Sequence, residues 1–461
     1  MTLVAPMDAV YLWGETDRSP SHVVALQIFR SPDGADPDLL AELYARWTDP
    51  SRLKRSFRRR PQRTWSSVGQ YTWAQDDDID LSLHVRRAAL PRPGRVRELL
   101  EFVAAVHEVP LERDRPLWQA HLVEGLGDGR FALCTKMHHA LFDGITMGKH
   151  LLGGLSTDPA ARGATAPWLL PPGRGERRPA DGQAGGVLDT LTGTATSTVR
   201  SAAAVAGSVP TLLGAVRDAV AQGEIPFAAP PSMFNVPVSS ARRFAGDAWP
   251  KSRLRAVAER TGTSSNDVAV AMCSGALRAY LLERDALPDT SLVAMVPVST
   301  APRNGDGGDG NAWGAVLCDL ATETADAGER LTRIHGSMAR HKTVLADLDP
   351  VSAAALSAFA LGGAVLNLLP GPQPPRPPFN LIISNVPGAR ETLYLDGCEL
   401  TDNYPVSVVV DGQALNMTMV SYGDRLAFGI TGCRRSVPHL QRLLRHLEDA
   451  LADLERVVGS P

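Results

Sequence analysis

Cysteine is sparse in this 461-residue chain. Cys134, Cys273, Cys318, Cys398 and Cys433 are odd in number and none sits in C-x-x-C spacing, which argues against a disulfide framework or a zinc knuckle and fits a reducing compartment. They read as small buried apolar side chains. An excess of one charge is also lacking: 47 Lys and Arg stand against 50 Asp and Glu, a formal net charge of -3, so no global attraction to nucleic acid or anionic membrane follows from the balance. The opening MTLVAPMDAVYLWGE carries Asp8 and Glu15 and has no basic segment, unlike a secretory leader, and the chain is expected in the cytoplasm. The uncharged stretch Val351 to Leu369 is mostly Ala, Ser and Gly with Asn367 inside it; too little transfer free energy attaches to such residues for a membrane span, and a buried or interfacial helix is expected. No G-x-S-x-G occurs, which lowers the case for a serine hydrolase of the usual α/β type.

What is present is length for two packed domains. Residues 1–155 alternate strand-like and helix-like patterns: HVVALQIF (22–29) and WQAHLVEGL (118–126) suit strands, DPDLLAELYARW (36–47) and VRELLEFVAAVHEVPL (96–111) suit helices. Residues 156–229 begin with a Pro-, Gly- and Arg-dense run that reads as an exposed crossover. They continue into a small-residue-rich helical segment (187–222) whose apolar faces could pack on the protein or lie on lipid. Residues 230–461 resume the alternation and end in the amphipathic SVPHLQRLLRHLEDALADLERVV (436–458). The two outer zones are alike in kind, so the expected fold is α/β (α+β), a pair of domains with the site in the cleft between them.

The sharpest local feature is KMHHALFDG, residues 136–144, on the connection from an apolar strand pattern into a helical one. Three readings are open for His138 and His139. A zinc pair needs converging rings, yet neighbours on an extended segment point to opposite faces and no third ligand stands nearby. A buried or surface histidine pair without chemistry is the ordinary alternative. In the third reading one imidazole is a general base in a cleft, Asp143 fixes the local geometry and Gly144 permits a tight turn. Acyl transfer from a thioester to an alcohol needs little more, because the thiolate already leaves readily. GITMGKH (144–150) lacks phosphate-loop spacing, and GDGGDG (305–310) has aspartates that would repel a pyrophosphate.

HHALFDG resembles the H-H-x-x-x-D-G motif of the coenzyme A-dependent acyltransferases that include chloramphenicol acetyltransferase and peptide-synthetase condensation domains. Further segments narrow the resemblance to the bacterial wax ester synthase/diacylglycerol acyltransferase family: PMDAVYLWGE (6–15), DRPLW (114–118), SSNDVAVAMCSGALRAYL (264–281), MVPVS (295–299), SNVPG (384–388), YPVS (404–407) and DGQALNMTMVSY (411–422). The family implies two chloramphenicol-acetyltransferase-like domains with mixed sheets flanked by helices. It also implies transfer of a long-chain acyl group from acyl-CoA, as co-substrate and with no cofactor or metal, to diacylglycerol or a fatty alcohol. The partners implied are those lipids, with peripheral contact to a membrane or lipid-droplet surface and no nucleic acid.

By that resemblance His139 is the base, His138 packs or orients, Asp143 is structural and Gly144 gives room for substrate. Asn266 and Asp267 lie near the site, where Asn266 could bind the oxyanion. Ser384 and Asn385 line the cleft from the second domain, while Pro116 and Trp118 shape the acyl tunnel. Two segments depart from the family pattern, Asn235-Val236-Pro237 and the bulky Trp313 after Gly310-Asn311. The basic run RLKRSFRRRPQR (52–63) could bind the coenzyme A 3'-phosphate or lipid headgroups, or be a solvated helix face. Rival functions are a carrier-protein-dependent, condensation-like acyltransferase and a catalytically inactive lipid-binding protein.

Overall fold

A computed structural model describes residues 2–4, 6–63, 70–142, 144–171, 229–299, 313–347 and 376–459. The readings made for 187–222, Val351 to Leu369, GDGGDG and Asp143 lie outside the described residues. In chain order the first half holds β1 (Thr2–Leu3), α1 (Pro6–Gly14), β2 (His22–Arg30), α2 (Leu39–Trp47), β3 (Arg59–Arg63), β4 (Tyr71–Gln75), β5 (Val85–Ala89), α3 (Val96–Glu108), β6 (Trp118–Glu124), β7 (Phe131–His138) and α4 (Gly144–Leu152). The second half holds β8 (Arg242–Pro250), α5 (Lys251–Thr261), α6 (Ser265–Leu282), β9 (Val293–Ser299), β10 (Trp313–Asp319), α7 (Ala327–Asp347), β11 (Leu381–Val386), β12 (Tyr394–Leu395), β13 (Cys398–Val406), β14 (Leu415–Tyr422), β15 (Arg425–Cys433) and α8 (Arg442–Val457).

Among the described residues these elements build two α/β domains, each on a six-stranded mixed sheet, as the α/β (α+β) expectation had it. The first sheet runs β12-β13-β2-β7-β6-β5 and the second β10-β9-β11-β14-β15-β8, with β1, β4 and β3 in a small third sheet. Two strands of the first sheet, β12 and β13, come from the second half of the chain. β13 pairs antiparallel along β2 from Glu399 opposite Arg30 to Val406 opposite Val24.

All eight residues of β7 are buried because both faces of its sheet are covered. Phe131, Leu133 and Met137 face a core shared with α1, α2 and α4. Ala132 and Cys134 face a seam filled by Leu99, Val103 and Ala104 of α3 and by Phe244, Val420 and Ala427 of the second sheet. The second domain packs around α6, which is apolar on nearly every side and therefore buried. At Gly275 a Cβ would lie 2.8 Å from that of Ala450, so small residues let α6 and α8 approach closely. α8 turns Leu443, Leu447, Leu451 and Leu454 inward at helical spacing.

Two local readings differ from the sequence expectation. The crossover has no regular structure from 156 to 171, but it is not wholly exposed. Its apolar Ala166, Trp168 and Leu169 are buried, and the Trp168 ring stacks on Trp118 and meets Trp47 edge-on. The basic run forms two short 3-10 turns and β3 in place of a helix face. Arg52 and Lys54 donate to the Leu170 and Pro167 carbonyls, so two of its charges hold the crossover down.

Candidate active site

The site grows from the end of β7. His138 is its last residue and pairs with His22, the first of β2. The His138 ring is fully buried. Its Nδ1 accepts from the Ala140 N–H at 3.1 Å, which leaves the ring proton on Nε2, 3.4 Å from Glu15 Oε1. His139 begins the following turn, and its N–H donates to the Ser21 carbonyl at 2.9 Å. The His139 side chain is only partly buried. Tyr11 of α1 stacks on it, with ring centroids 4.1 Å apart and planes 18° from parallel.

Glu15, just beyond α1, is a hub. Its Oε1 accepts from the Ser21 N–H at 2.9 Å, and its Oε2 accepts from Arg113 Nη2 at 3.0 Å and Nε at 3.3 Å. Arg113 also donates to the Leu12 carbonyl and to the Tyr71 hydroxyl, both at 2.7 Å. Burial opposes ionisation of Glu15, but the His138 ring, the Ser21 N–H and Arg113 outweigh it and hold the carboxyl at about 2. A carboxyl depressed from its usual 4.5 adds stability above that pH, lost as pH falls toward about 2. The difference in melting temperature between the native chain and Glu15→Gln is therefore expected to be widest near neutrality and to shrink through that acid window. A difference constant with pH in thermal unfolding scans would contradict the network.

The face of β7 that carries His138 also carries Lys136. Its ammonium is buried, donates to the Val106 carbonyl at 2.9 Å and to that of Val109, and so caps the end of α3. Burial pushes it down to about 8. Burial, with Arg242 and Lys136 nearby, lowers His107 to about 3, and burial beside Lys136 and His107 lowers His22. Both rings are neutral in the working range.

The other expected site residues fall in separate places. Gly144 opens α4; a Cβ there would meet open space, and its φ lies outside the left-handed region. Asn266 and Asn385 come together, the Asn385 Nδ2 donating to Asn266 Oδ1 at 3.0 Å. Ser384 lies beside them on β11, partly buried. Asp267 is buried in the cap of α6. Its N–H donates to Ser264 Oγ at 3.2 Å, its Oδ2 accepts from the Ser264 N–H at 3.0 Å, and His335 Nδ1 of α7 lies 2.9 Å from the same oxygen. Asp267→Ala is thus expected to cost about 1–2 kcal/mol of stability, the range for a lost helix cap, measurable by denaturant unfolding. Pro116 and Trp118 are buried. The Trp118 indole N–H donates to the Phe57 carbonyl at 2.8 Å, and its ring stacks on His84.

Tyr11, Glu15, Arg113 and Lys136 were not singled out by the sequence. Tyr11 and Glu15 lie in the segment PMDAVYLWGE, and Lys136 is the one charge in the apolar FALCTKM, which was a signal that it needed partners. Among the described residues no three His, Cys, Asp or Glu side chains gather as a metal site.

Residues 4–269 match the family model of the wax ester synthase/diacylglycerol acyltransferase catalytic domain, and residues 309–455 match the WS/DGAT C-terminal domain. The chain belongs to this family. It is 45% identical over 462 residues to a protein of Mycobacterium tuberculosis (strain ATCC 25618 / H37Rv) named "Probable diacyglycerol O-acyltransferase", with 100% of each chain covered. The solved wax ester synthase/diacylglycerol acyltransferase from Marinobacter aquaeolei VT8 is 38% identical, covers 100% of both chains and superposes with a TM-score of 0.80. The starter condensation domain of rhizomide synthetase, 13% identical with a TM-score of 0.59 over 100% of this chain and 95% of its own, shares the fold. In this WS/DGAT acyltransferase the His pair and Asn266 fall within the catalytic-domain match, and Ser384 and Asn385 within the C-terminal one.

Proposed function

We propose that this chain transfers a long-chain fatty acyl group from acyl-CoA to the hydroxyl of diacylglycerol or of a fatty alcohol, giving triacylglycerol or wax ester, with His139 as general base. One observation carries the assignment of the base. Of the two adjacent imidazoles, His138 is fully buried with its nitrogens turned to Ala140 and Glu15, whereas His139 retains exposed surface. The His139 ring takes the hydroxyl proton as the acceptor oxygen attacks the thioester carbonyl. The tetrahedral oxyanion then collapses, the carbon–sulfur bond breaks, and the coenzyme A thiolate recovers that proton from His139. No acyl-enzyme forms. Acyl-CoA is a co-substrate, and the step asks for no separate cofactor.

Asn266 supplies the oxyanion donor in this scheme. The Asn385 contact occupies its carbonyl oxygen, which leaves its amide N–H groups as the donors to offer. Asp143 orients the loop, Gly144 leaves room for substrate, Ser384 lines the cleft, and Pro116 and Trp118 back the acyl-chain wall from the core. Residues 1–155 supply the base, 156–229 the crossover and 230–461 the oxyanion side.

The enzyme acts in the cytoplasm and meets its acceptor peripherally, at a membrane or lipid-droplet surface. Among the described residues no helix is long and apolar enough to cross a membrane. The deciding experiment measures thiol release from palmitoyl-CoA with hexadecanol or diacylglycerol as acceptor. Acceptor-dependent release with ester product is the expected result; turnover only with a carrier-bound acyl group, or none with any donor, overturns the reading.

A further inference from the structure

We infer that α1 and the glutamate that follows it form a clamp that sets the geometry of the catalytic imidazole, with Tyr11 and Glu15 as its positioning residues. The inference rests on His139 being the base. Tyr11 lies in the last turn of α1 and Glu15 is the first residue beyond it, and the two reach the two neighbouring histidines. Tyr11 stacks on the ring of His139, and Glu15 faces His138 Nε2. Stacking at 4.1 Å fixes the tilt of the imidazole plane. The rest of the clamp acts through the main chain. Glu15 accepts from the Ser21 N–H, and the Ser21 carbonyl accepts from the His139 N–H, so one carboxylate holds the strip of backbone on which His139 hangs. Ala140 donates to His138 Nδ1, which puts the ring proton on Nε2, and the charge of the same carboxylate 3.4 Å away favours that form, in which Nδ1 shapes the turn after the base.

Arg113 closes the arrangement from outside. It donates both to Glu15 and to the Leu12 carbonyl near the end of α1, so the helix and its glutamate cannot move apart. The chemistry of the hub requires a carboxylate. Hydrogen bonds reach both oxygens of Glu15, from the Ser21 N–H on one and two guanidinium nitrogens on the other, and His138 Nε2 stands 3.4 Å from the first without a made hydrogen bond. An amide of the same shape would turn its own N–H2 toward one of those sets of donors. A buried donor facing a donor forces the groups apart.

The test is steady-state kinetics with palmitoyl-CoA and the better of the two acceptors. Tyr11→Leu, Tyr11→Phe, Glu15→Gln and His139→Ala are compared singly, and Tyr11→Leu is also combined with His139→Ala. Tyr11→Leu and Glu15→Gln should each lower kcat by about 10- to 100-fold, the scale seen when an outer partner of a site residue is removed, with the KM for acyl-CoA little changed. Tyr11→Phe, which keeps the ring, should recover most of what Tyr11→Leu loses. In the His139→Ala background Tyr11→Leu should cost nothing further, because groups that act through one residue are not additive.

Kinetic parameters of Tyr11→Leu and Glu15→Gln like those of the native enzyme, or losses that multiply in the double variant, overturn the clamp. The partly buried Tyr11 keeps the test valid even if Glu15→Gln does not fold. Full activity in His139→Ala is a different result: it removes the base itself and with it the proposed mechanism.

Discussion

Replacement of His139 by Ala is expected to lower kcat by ~10²- to 10⁴-fold, the contribution of a general base, while the folded state survives. Both halves of that statement come from where the ring lies. The side chain of His139 is partly exposed, and its main-chain N–H, bonded to the Ser21 carbonyl, is unaffected by the substitution. The acceptor hydroxyl then has to lose its proton to water, and at neutral pH an alcohol is a poor nucleophile without a base. His138→Ala is expected to behave differently. Removing that buried ring leaves the Ala140 N–H without its acceptor and a cavity beside Glu15 Oε1, so loss of stability should accompany any loss of rate. Rate and melting temperature measured together separate the two: a rate defect with native melting for His139→Ala, and both defects for His138→Ala. A His139→Ala enzyme with native kcat would remove the base from the scheme.

The second large effect is expected far from any substrate. Gly429 of β15 and Gly246 of β8 are opposite one another in the second sheet, and β13 of the first sheet passes over both. A Cβ at Gly429 would lie 1.7 Å from the Pro405 carbonyl oxygen, while one at Gly246 would meet the Tyr404 ring at 3.0 Å. The first obstacle is backbone in a paired strand and cannot turn aside; the second is a side chain that can. Gly429→Ala should therefore destabilise the chain by more than the ~1–3 kcal/mol typical of overpacking, to the point of insoluble expression, and Gly246→Ala by less. Equal melting temperatures for the two variants would show that the sheets do not meet this closely.

How much of this was legible in the sequence depended on periodicity. β7, β2 and α8 are continuous apolar or amphipathic patterns, and each lies within the segment its pattern marked, although α8 begins only at Arg442. β13 is different. CELTDNYPV carries Asp402, Asn403 and a register irregularity between Leu400 and Asp402, so no alternation survives to announce a strand. Nothing local says that it pairs with a segment from the other half.

The His pair was legible because two imidazoles and an aspartate in a short run are uncommon chemistry. Its support was not: Glu15 and Arg113 are 98 residues apart in sequence, and only the fold brings them together. The helix-face reading of the basic run failed for a related reason. Its spacing of Lys and Arg says nothing of Pro61, which as a proline lacks the N–H a helix interior needs, or of the Leu170 and Pro167 carbonyls that take up two of the charges.

The placement of β13 also has a consequence for the order in which the enzyme is made. A ribosome delivers β2 and β7 early, but the strand that covers the open side of β2 is Cys398–Val406. At synthesis rates of about 5–20 residues per second, the interval is on the order of tens of seconds. Through that time the nascent first sheet presents an unpaired edge, the kind of surface that recruits other strands. The sheet whose central strand β7 leads into His139 is therefore completed only after Cys398–Val406 has been made, about 260 residues later than β7 itself.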